Sequence, residues 1–155
     1  ELLALTLSDI DFKENTISIT KTFQVVNRQP TVTTPKTEKS NRSIFIPQFL
    51  VDMLLAYCDR IYGAQPDTRL FMGTQRNYRR VLNSHAEKAG VKQIRVHDLR
   101  HSHASLLIEL GFSAILVSER LGHENVSTTL NVYSHLFPSK HSEVAEKLER
   151  LYHYE

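Results

Sequence analysis

The 155-residue sequence predicts an α+β fold that is mainly helical, with a small antiparallel three-stranded sheet near the N-terminus. Two observations indicate this. Between residues 14 and 46, β-branched residues alternate with polar ones, and turn residues separate the runs. From residue 47 onward, apolar residues recur at three- and four-residue spacing, and glycines end successive periodic segments. The apolar fraction of 41% and the charged fraction of 23% are typical of a folded domain.

The predicted sheet has strands at residues 16–23, 31–34 and 43–46, each rich in β-branched residues. The polar, turn-like segment 36–41 lies between the second and third runs and predicts a hairpin there. Ahead of the sheet, the short apolar segment 2–7 is interpreted as the end of a helix.

Six helices are predicted after the sheet, at residues 47–62, 75–89, 96–110, 114–121 and 127–133, with a last one that starts at Ser139 or Ser142. Thr74, Ser113 and Ser127 are predicted N-caps, because a hydroxyl can accept a hydrogen bond from the exposed N–H groups of a first turn. The last helix carries an apolar stripe that suits docking either on its own domain or on another copy, and it consists of Val144, Ala145, Leu148, Leu151 and Tyr152.

Composition excludes several classes of protein. No stretch approaches the roughly 18 uninterrupted apolar residues of a membrane span, so neither a transmembrane helix nor a signal peptide is predicted. Cys58 is the single cysteine, which excludes an intrachain disulfide and fits a reducing, cytoplasmic compartment. The chain opens on Glu1 within an apolar pattern and without Met, so we expect residues 1–155 to be a fragment that lacks its N-terminal part.

Positive charge is concentrated in two blocks, although the formal net charge is only +2. Residues 76–103 carry seven basic groups against two acids. Residues 21–45 carry five against one acid, and the five are Lys21, Arg28, Lys36, Lys39 and Arg42. Two basic blocks on an otherwise acidic chain indicate a face that meets a polyanion, while solvated surface is the alternative.

The segment 97–101 (HDLRH) is the first candidate for chemistry, because positions 97, 100 and 101 lie close together on one helix face. His97 and His101 around an acid resemble a zinc-binding motif, but Arg100 would then place a cation beside the metal. Arg100 with His97 suits a phosphate instead, since an arginine fork binds two phosphate oxygens. A plain helix start with surface His and Arg is the third interpretation.

A second candidate lies further along the chain. Gly122 allows a sharp turn after an apolar helix, which directs His123 away from that helix. Tyr133 follows ten residues later, shortly before Pro138. By itself, a tyrosine in such a place is usually a packed aromatic residue.

In this order, HDLRH, then LGH at 121–123, then Tyr133, the sequence resembles the catalytic box of the tyrosine recombinases, the phage integrase family. Residues 2–11 (LLALTLSDID) resemble the segment that follows the family's first catalytic arginine, and 34–37 (TPKT) resemble its lysine-bearing β-hairpin. The resemblance covers nearly the whole chain and is strongest to integrases of phages and integrative elements from Gram-positive hosts.

The resemblance implies site-specific DNA recombination through a covalent 3′-phosphotyrosine. It assigns Tyr133 as the nucleophile, His97 and Arg100 as the H-x-x-R pair, His123 as the later histidine and Lys36 as the hairpin lysine. The family's first arginine and its further DNA-binding domains are expected upstream of Glu1. Without that arginine, a DNA-binding fragment that does not cleave is the alternative.

These residue types suit the implied reaction. A phenol with a pKa of about 10 needs help to lose its proton, and fixed cations stabilise the charge that develops on the phosphodiester. His97 is expected to take that proton and Lys36 to protonate the departing oxygen. Side-chain cations and an energy-conserving ester make a metal, ATP or other cofactor unnecessary.

The expected partners are double-stranded DNA attachment sites and three further copies of the chain in a tetramer on DNA, with possible exchange of the C-terminal helix. The basic blocks are expected to follow the phosphate backbone. The predicted DNA-binding residues are Arg76, Arg79, Thr74, Lys39 and Arg42.

Overall fold

The computed structural model describes residues 1–27, 29–35, 37–138 and 141–153. Within these ranges the strands are β1 (Ile10–Asp11), β2 (Thr16–Ile19), β3 (Thr22–Val26), β4 (Gln29–Thr33) and β5 (Arg42–Phe45). The α-helices are α1 (Gln48–Cys58), α2 (Gln75–Lys88), α3 (Asp98–Glu109), α4 (Ala114–Leu121), α5 (Val126–Tyr133) and α6 (His141–Tyr152). The predicted α+β fold, mainly helical with a small antiparallel three-stranded sheet, is confirmed.

The strands form two separate sheets. The three-stranded sheet has the order β1-β2-β5, and Ile17 of β2 lies opposite Ile10 and Ile44. β3 and β4 form an antiparallel hairpin of their own. The predicted single strand 16–23 is therefore wrong, and so is the hairpin at 36–41, because the strands on either side of that segment belong to different sheets.

A partly buried ion pair lies beside the break in the predicted first strand. Lys21 Nζ lies 2.7 Å from Asp9 Oδ2 and donates to Thr6 Oγ1 at 2.7 Å. Thr6 and Asp9 also cap the short 3-10 turn Leu7–Asp9, since Thr6 N donates to Asp9 Oδ2 at 2.8 Å. These contacts fix the chain where it passes from the first sheet to the second.

The apolar segment 2–7 is not the helix end that the sequence predicted. It forms a 3-10 turn at Leu2–Ala4 and then an extended bridge, in which Thr6 pairs with Arg69 and Leu5 O accepts a hydrogen bond from Leu70 N. The bridge buries Leu70 in a core under the sheet, which is formed by Ile10, Ile46, Val51, Leu54 and Leu70.

Most of the predicted helices are present, with shifted ends. Thr74 and Ser113 accept hydrogen bonds from Asn77 N and Leu116 N, so both predicted N-caps are confirmed. Ser127 lies inside the first turn of α5, whose N-cap residue is Asn125, so that predicted cap is wrong. α1 ends at Cys58, four residues before the predicted end.

A second core joins α3, α4 and α5. It consists of Ala104, Ile108, Val117, Leu121 and Tyr133. Ala104 is fully buried, and its small side chain lets the helices approach closely. Because Tyr133 belongs to this core, the packing of three helices fixes the position of its ring.

The apolar stripe predicted for the last helix is largely exposed on α6. Val144, Leu148, Leu151 and Tyr152 are 54%, 61%, 70% and 80% exposed. Nothing in the described ranges of the chain forms a helix of the length and apolarity that a bilayer span requires.

Candidate active site

Tyr133 is the last residue of α5 and only 4% of it is exposed. A hydrogen bond of 2.7 Å joins its Oη to Nδ1 of His101, on the first turn of α3. Burial raises the pKa of the Tyr133 phenol, and the nearby charge of Arg100 acts in the opposite direction. Burial therefore favours the protonated phenol, and an imidazole nitrogen is already within hydrogen-bond distance of its oxygen.

His97 lies next to this pair but does not touch the hydroxyl. It is the N-cap residue of α3 and is exposed. Its ring packs edge-on against His101, with 5.1 Å between the ring centroids. The sequence assigned the tyrosine proton to His97, whereas the structure places His101 against Tyr133 Oη, because the residue one helical turn further along faces the α5 end.

Arg100 is half-buried between α3 and the end of α4. Its Nη2 donates a hydrogen bond to Leu121 O, one of the last carbonyls of α4. These carbonyls carry the negative end of the helix dipole, which favours a cation at this position. Burial and the charge of Arg42 lower the pKa of the Arg100 guanidinium, and the charges of Glu1 and Tyr133 oppose this.

The turn after α4 places His123. Gly122 ends the helix with φ +70°, a left-handed conformation that favours glycine. A hydrogen bond of 2.8 Å then joins His123 Nδ1 to the fully buried Thr129 Oγ1 on α5. The turn thereby connects His123 to the helix that ends in Tyr133.

Burial lowers the pKa of the His123 imidazole, and the guanidiniums of Arg100 and Arg42 lower it further. His123 is thus favoured in its neutral form, which can donate from Nε2 when Nδ1 accepts from Thr129. The site combines two fixed guanidiniums with a neutral imidazole donor.

Arg42, predicted to bind DNA, points into the molecule. Its side chain is 11% exposed, and its Nη2 lies 3.0 Å from Glu1 Oε2. Burial raises the pKa of the Glu1 carboxyl, but the hydrogen bonds and charge of Arg42 outweigh this and lower it overall. Arg42 is therefore an internal cation of the site.

Of the other predicted residues, Lys36 lies outside the described residues. Lys39 is exposed and donates to Glu124 O at 2.9 Å. Thr74 lines a cleft of about 880 Å³ together with Gln75, His97 and Arg100. The N-terminus of α2 therefore borders the same cleft as the H-x-x-R pair.

Arg76 and Arg79 lie on the exposed face of α2, along a surface groove that Arg80 and Asn83 also line. In the described part of the chain, neither Arg76 nor Arg79 has an ion-pair partner. Their guanidiniums are available to an external anion.

The zinc interpretation of His97 and His101 finds little support in the geometry. Among the residues that the structure describes, no group of three or more His, Cys, Asp or Glu side chains is arranged to hold a metal ion. His101 Nδ1 is instead bonded to the phenol of Tyr133.

Three residues of this site have contacts that the sequence does not predict. The sequence predicts His101 only as a zinc ligand and Arg42 only as a DNA contact, and it indicates no role for Thr129. The signal for His101 was available, since it lies one residue after Arg100 on a helix. The inward direction of Arg42 was not, because its partners lie 41 and 78 residues away.

Comparison with known proteins agrees with this geometry. A profile described as the phage integrase family matches residues 1–140. The chain therefore belongs to the phage integrase family, and its fold is that of a tyrosine recombinase catalytic domain.

Two relatives have bacterial and phage origins. The chain is 38% identical over 168 residues to the ICEBs1 integrase of Bacillus subtilis, covering 97% of this chain and 45% of the relative. It is 32% identical over 171 residues to the integrase of Staphylococcus phage L54a, covering 97% of this chain and 48% of the relative. The chain thus spans about half the length of these curated relatives, and the predicted likeness to Gram-positive phage and element integrases is confirmed.

The fold also matches a solved structure, that of the Tn1549 transposon integrase in complex with circular intermediate DNA. The TM-score is 0.78 at 20% sequence identity, and the match covers 97% of this chain and 54% of that one. At this identity the likeness concerns the fold.

Proposed function

We propose that this domain catalyses site-specific DNA recombination, by cleaving and rejoining DNA strands through a covalent 3′-phosphotyrosine at Tyr133. The observation that carries the proposal is the 2.7 Å hydrogen bond between Tyr133 Oη and His101, within reach of the charge of Arg100. A buried, hydrogen-bonded tyrosine is common, but this one feels the charge of Arg100, which also acts on His123 together with Arg42. Cations and donors so placed are the surroundings that phosphoryl transfer requires.

The chemical step follows from these contacts. Tyr133 Oη gives its proton to His101 Nδ1 and forms a bond to phosphorus, while the bond from phosphorus to the 5′ oxygen breaks. Arg100 and His123 donate hydrogen bonds to the non-bridging oxygens, whose negative charge grows in the transition state. The 5′ oxygen takes a proton from Lys36, the role that the family resemblance gives it. Rejoining is the reverse.

His97 has a supporting role in this proposal. It lies in the cleft with Arg100 and packs against the ring of His101. It is placed to orient His101 and to pass the proton from the buried pair to solvent.

Since Tyr133 is nearly buried, the phenol has to move outward before it reaches a phosphate. The end of α5 is the segment that has to shift, and the following 3-10 turn Ser134–Leu136 is its continuation. DNA bound in the cleft at Thr74, His97 and Arg100 supplies the interactions that favour this shift.

Double-stranded DNA with attachment sites is the proposed partner. Support comes from the exposed arginines of α2 and from the Tn1549 integrase, which was solved with DNA. The chain spans about half of its relatives, so we propose that the complete protein carries further DNA-binding domains. Residues 1–155 would then be its catalytic domain.

We further propose that the complete protein acts as a tetramer whose C-terminal helices dock on neighbouring subunits. The exposed apolar stripe on α6 supports this, because such a surface gains stability when a partner covers it. Crosslinking of protein–DNA complexes with Leu148→Glu tests it: we expect tetramers to be lost while monomer binding to DNA persists.

The cleavage proposal is tested with a suicide substrate, which is an attachment-site duplex with a nick. The piece of strand that cleavage releases diffuses away, so the strand cannot be rejoined. The complete protein should form a covalent adduct that survives a denaturing gel. Tyr133→Phe is the matched variant, since it removes only the hydroxyl, and it should form none.

Two results would contradict the proposal. If Tyr133→Phe still traps DNA, another residue is the nucleophile. If the wild-type protein binds the substrate at its attachment site without forming an adduct, the chain belongs to a DNA-binding recombinase that does not cleave.

A further inference from the structure

The guanidinium of Arg42 contacts three separate parts of the chain. Its Nε donates to Arg120 O at 2.9 Å, and its Nη1 donates to Ser40 O at 3.1 Å. Nη1 and Nη2 also bond the two carboxylate oxygens of Glu1 at 3.1 and 3.0 Å. A side chain with this many internal acceptors joins elements together and has few donors left for DNA.

Two of these elements, β5 and α4, are tied in both directions. Arg42, the first residue of β5, bonds the carbonyl of Arg120. The side chain of Arg120 in turn donates from Nη1 to the carbonyl of Phe45, the last residue of β5, at 3.0 Å. The reciprocal pair fixes both the position and the direction of the end of α4 against the strand.

The same end of α4 holds Arg100. The carbonyls of Arg120 and Leu121 are consecutive, and they accept from Arg42 and Arg100 respectively. The two guanidiniums are therefore placed relative to each other by one helix end. Displacing that end moves both cations.

Gly122 shows how closely Arg42 packs against the following turn. A Cβ atom at this position would lie 2.8 Å from Arg42 Nη1 and 3.1 Å from its Cζ. Glycine therefore suits this turn for two reasons: it adopts the positive φ without strain, and a Cβ would displace the Arg42 guanidinium. His123 follows directly.

We propose that Arg42 is a positioning residue: by holding the end of α4, it sets Arg100 and the Gly122 turn, and through that turn it directs His123 toward the reacting phosphate. The inference rests on the proposed function, since positioning matters only if Arg100 and His123 act on DNA. It replaces the expectation that Arg42 contacts the DNA backbone.

The charge of Arg42 provides a readout of its distance from His123 that does not depend on cleavage. The guanidiniums of Arg100 and Arg42 both lower the pKa of the His123 imidazole, in addition to the effect of burial. Removing the Arg42 charge should therefore raise the titration midpoint of His123.

The experiment compares Arg42→Gln, Arg42→Lys and Arg60→Gln in the complete protein. Arg60 is an exposed cation just after α1, so it controls for the loss of one charge. Three quantities are measured: His123 titration by NMR without DNA, affinity for uncleaved duplex, and the rate of adduct formation on the suicide substrate.

We expect Arg42→Gln to raise the His123 midpoint and to slow adduct formation by about 100-fold, the order of effect seen when a transition-state donor is displaced. Affinity for the uncleaved duplex should stay within about threefold of the wild-type value, because Arg42 neutralises no phosphate in this proposal. Arg42→Lys should keep the midpoint near the wild-type value and recover part of the rate. Arg60→Gln should change none of the three.

A second pair of variants tests the contact if Arg42→Gln does not fold. Gly122→Ala adds a methyl group against the guanidinium, whereas Gly63, at φ +65°, has no atom within 4 Å of the position of its Cβ. Both alanines incur similar backbone strain. Only Gly122→Ala should slow adduct formation.

The proposal is overturned if Arg42→Gln leaves the His123 midpoint and the rate unchanged, or if it weakens duplex affinity as much as it slows cleavage. It is also overturned if Gly63→Ala slows adduct formation as much as Gly122→Ala. If the wild-type protein forms no adduct while the His123 midpoint still moves in Arg42→Gln, the contact between the Arg42 charge and His123 stands and the proposed function is what fails.

Discussion

The two basic blocks of this chain look alike in the sequence and differ in the fold. In the first block, Lys21 pairs with Asp9, and Arg42 contacts Glu1 and the end of α4. In the second, Arg76 and Arg79 project from α2 into solvent, without ion-pair partners in the described chain. Lys21 and Arg42 thus join separate parts of the molecule, whereas Arg76 and Arg79 are open to an external anion.

The difference shows that a run of positive charge does not reveal its use. What decides is whether acidic groups and free carbonyls from distant segments lie within reach, and these are brought together only by the fold. Arg100 lies in the second block by sequence but belongs with the inward cations, because the carbonyl of Leu121 accepts from it. Substituting an inward cation should therefore change the cleavage rate or the stability, whereas substituting an outward cation should change the affinity for DNA.

Arg100→Gln should have the largest effect among these cations. It removes a fixed donor from the proposed transition state, for which a loss of about 10²- to 10³-fold in adduct formation is the expected order. The measurement is single-turnover cleavage of the suicide substrate at saturating protein. Arg79→Gln, also on the second block, serves as the outward control.

At saturation, Arg79→Gln should leave the rate within about twofold, since weaker binding is then compensated by concentration. If Arg79→Gln slows the saturated rate as much as Arg100→Gln does, the distinction between inward and outward cations is wrong.

The two histidines of α3 provide the next test. His101→Gln removes the acceptor 2.7 Å from Tyr133 Oη, so adduct formation should fall by about 10²-fold, an ordinary size for a lost proton acceptor. His97→Gln leaves that acceptor in place and should cost about tenfold. Single-turnover cleavage rates of the two variants on the suicide substrate check this order.

The opposite order, with His97→Gln the more damaging variant, would return the proton-accepting role to His97. The hydrogen bond to His101 would then describe only the resting position of the phenol.

Much of the fold could be predicted from the sequence because local signals decided it. Thr74 and Ser113 cap their helices, and Gly122 ends α4, through contacts only a few residues long. The strand pairing could not be predicted. Ile17 lies between Ile10 and Ile44, and this choice of neighbours depends on packing against α1, which no alternating pattern contains.

The site divides in the same way. Spacing and family resemblance predicted four site residues, Tyr133, Arg100, His97 and His123. The structure brings Tyr133, Arg100 and His123 together around the end of α4. His101 and Arg42 required three-dimensional information, because their partners lie 32 to 78 residues away. Their roles remain predictions until the variants are measured.

Lys21→Met tests whether an inward cation stabilises the folded protein. Burial raises the pKa of the Asp9 carboxyl, but its bonds to Lys21 and Thr6 outweigh this, so the folded-state pKa lies below the ordinary value. Removing Lys21 should lower the free energy of unfolding by about 1–2 kcal/mol at pH 7, as expected for a lost hydrogen bond to a charged group.

The pH dependence has a defined sign. A carboxyl whose pKa is lowered by folding stabilises the protein above its unfolded pKa of about 3.9, and this stabilisation is lost as the pH falls through the folded value. The difference between wild type and Lys21→Met, measured by urea unfolding, should therefore shrink below about pH 4. A difference that stays constant from pH 7 to 3 would exclude the ion pair as its cause.

Arg76→Gln should give the smallest effect, and one confined to binding. If Arg76 neutralises one phosphate, its loss weakens duplex affinity several-fold and reduces the slope of log K against log salt by about 0.9. Stability should not change, because the side chain is exposed on α2. Titrations between 50 and 200 mM salt measure the slope. Lys21→Met is the control: Lys21 is already paired with Asp9, so its loss should leave the slope unaltered. An unchanged slope in Arg76→Gln would mean that the exposed face of α2 does not contact DNA. The cations that bind the DNA backbone would then lie elsewhere on the surface.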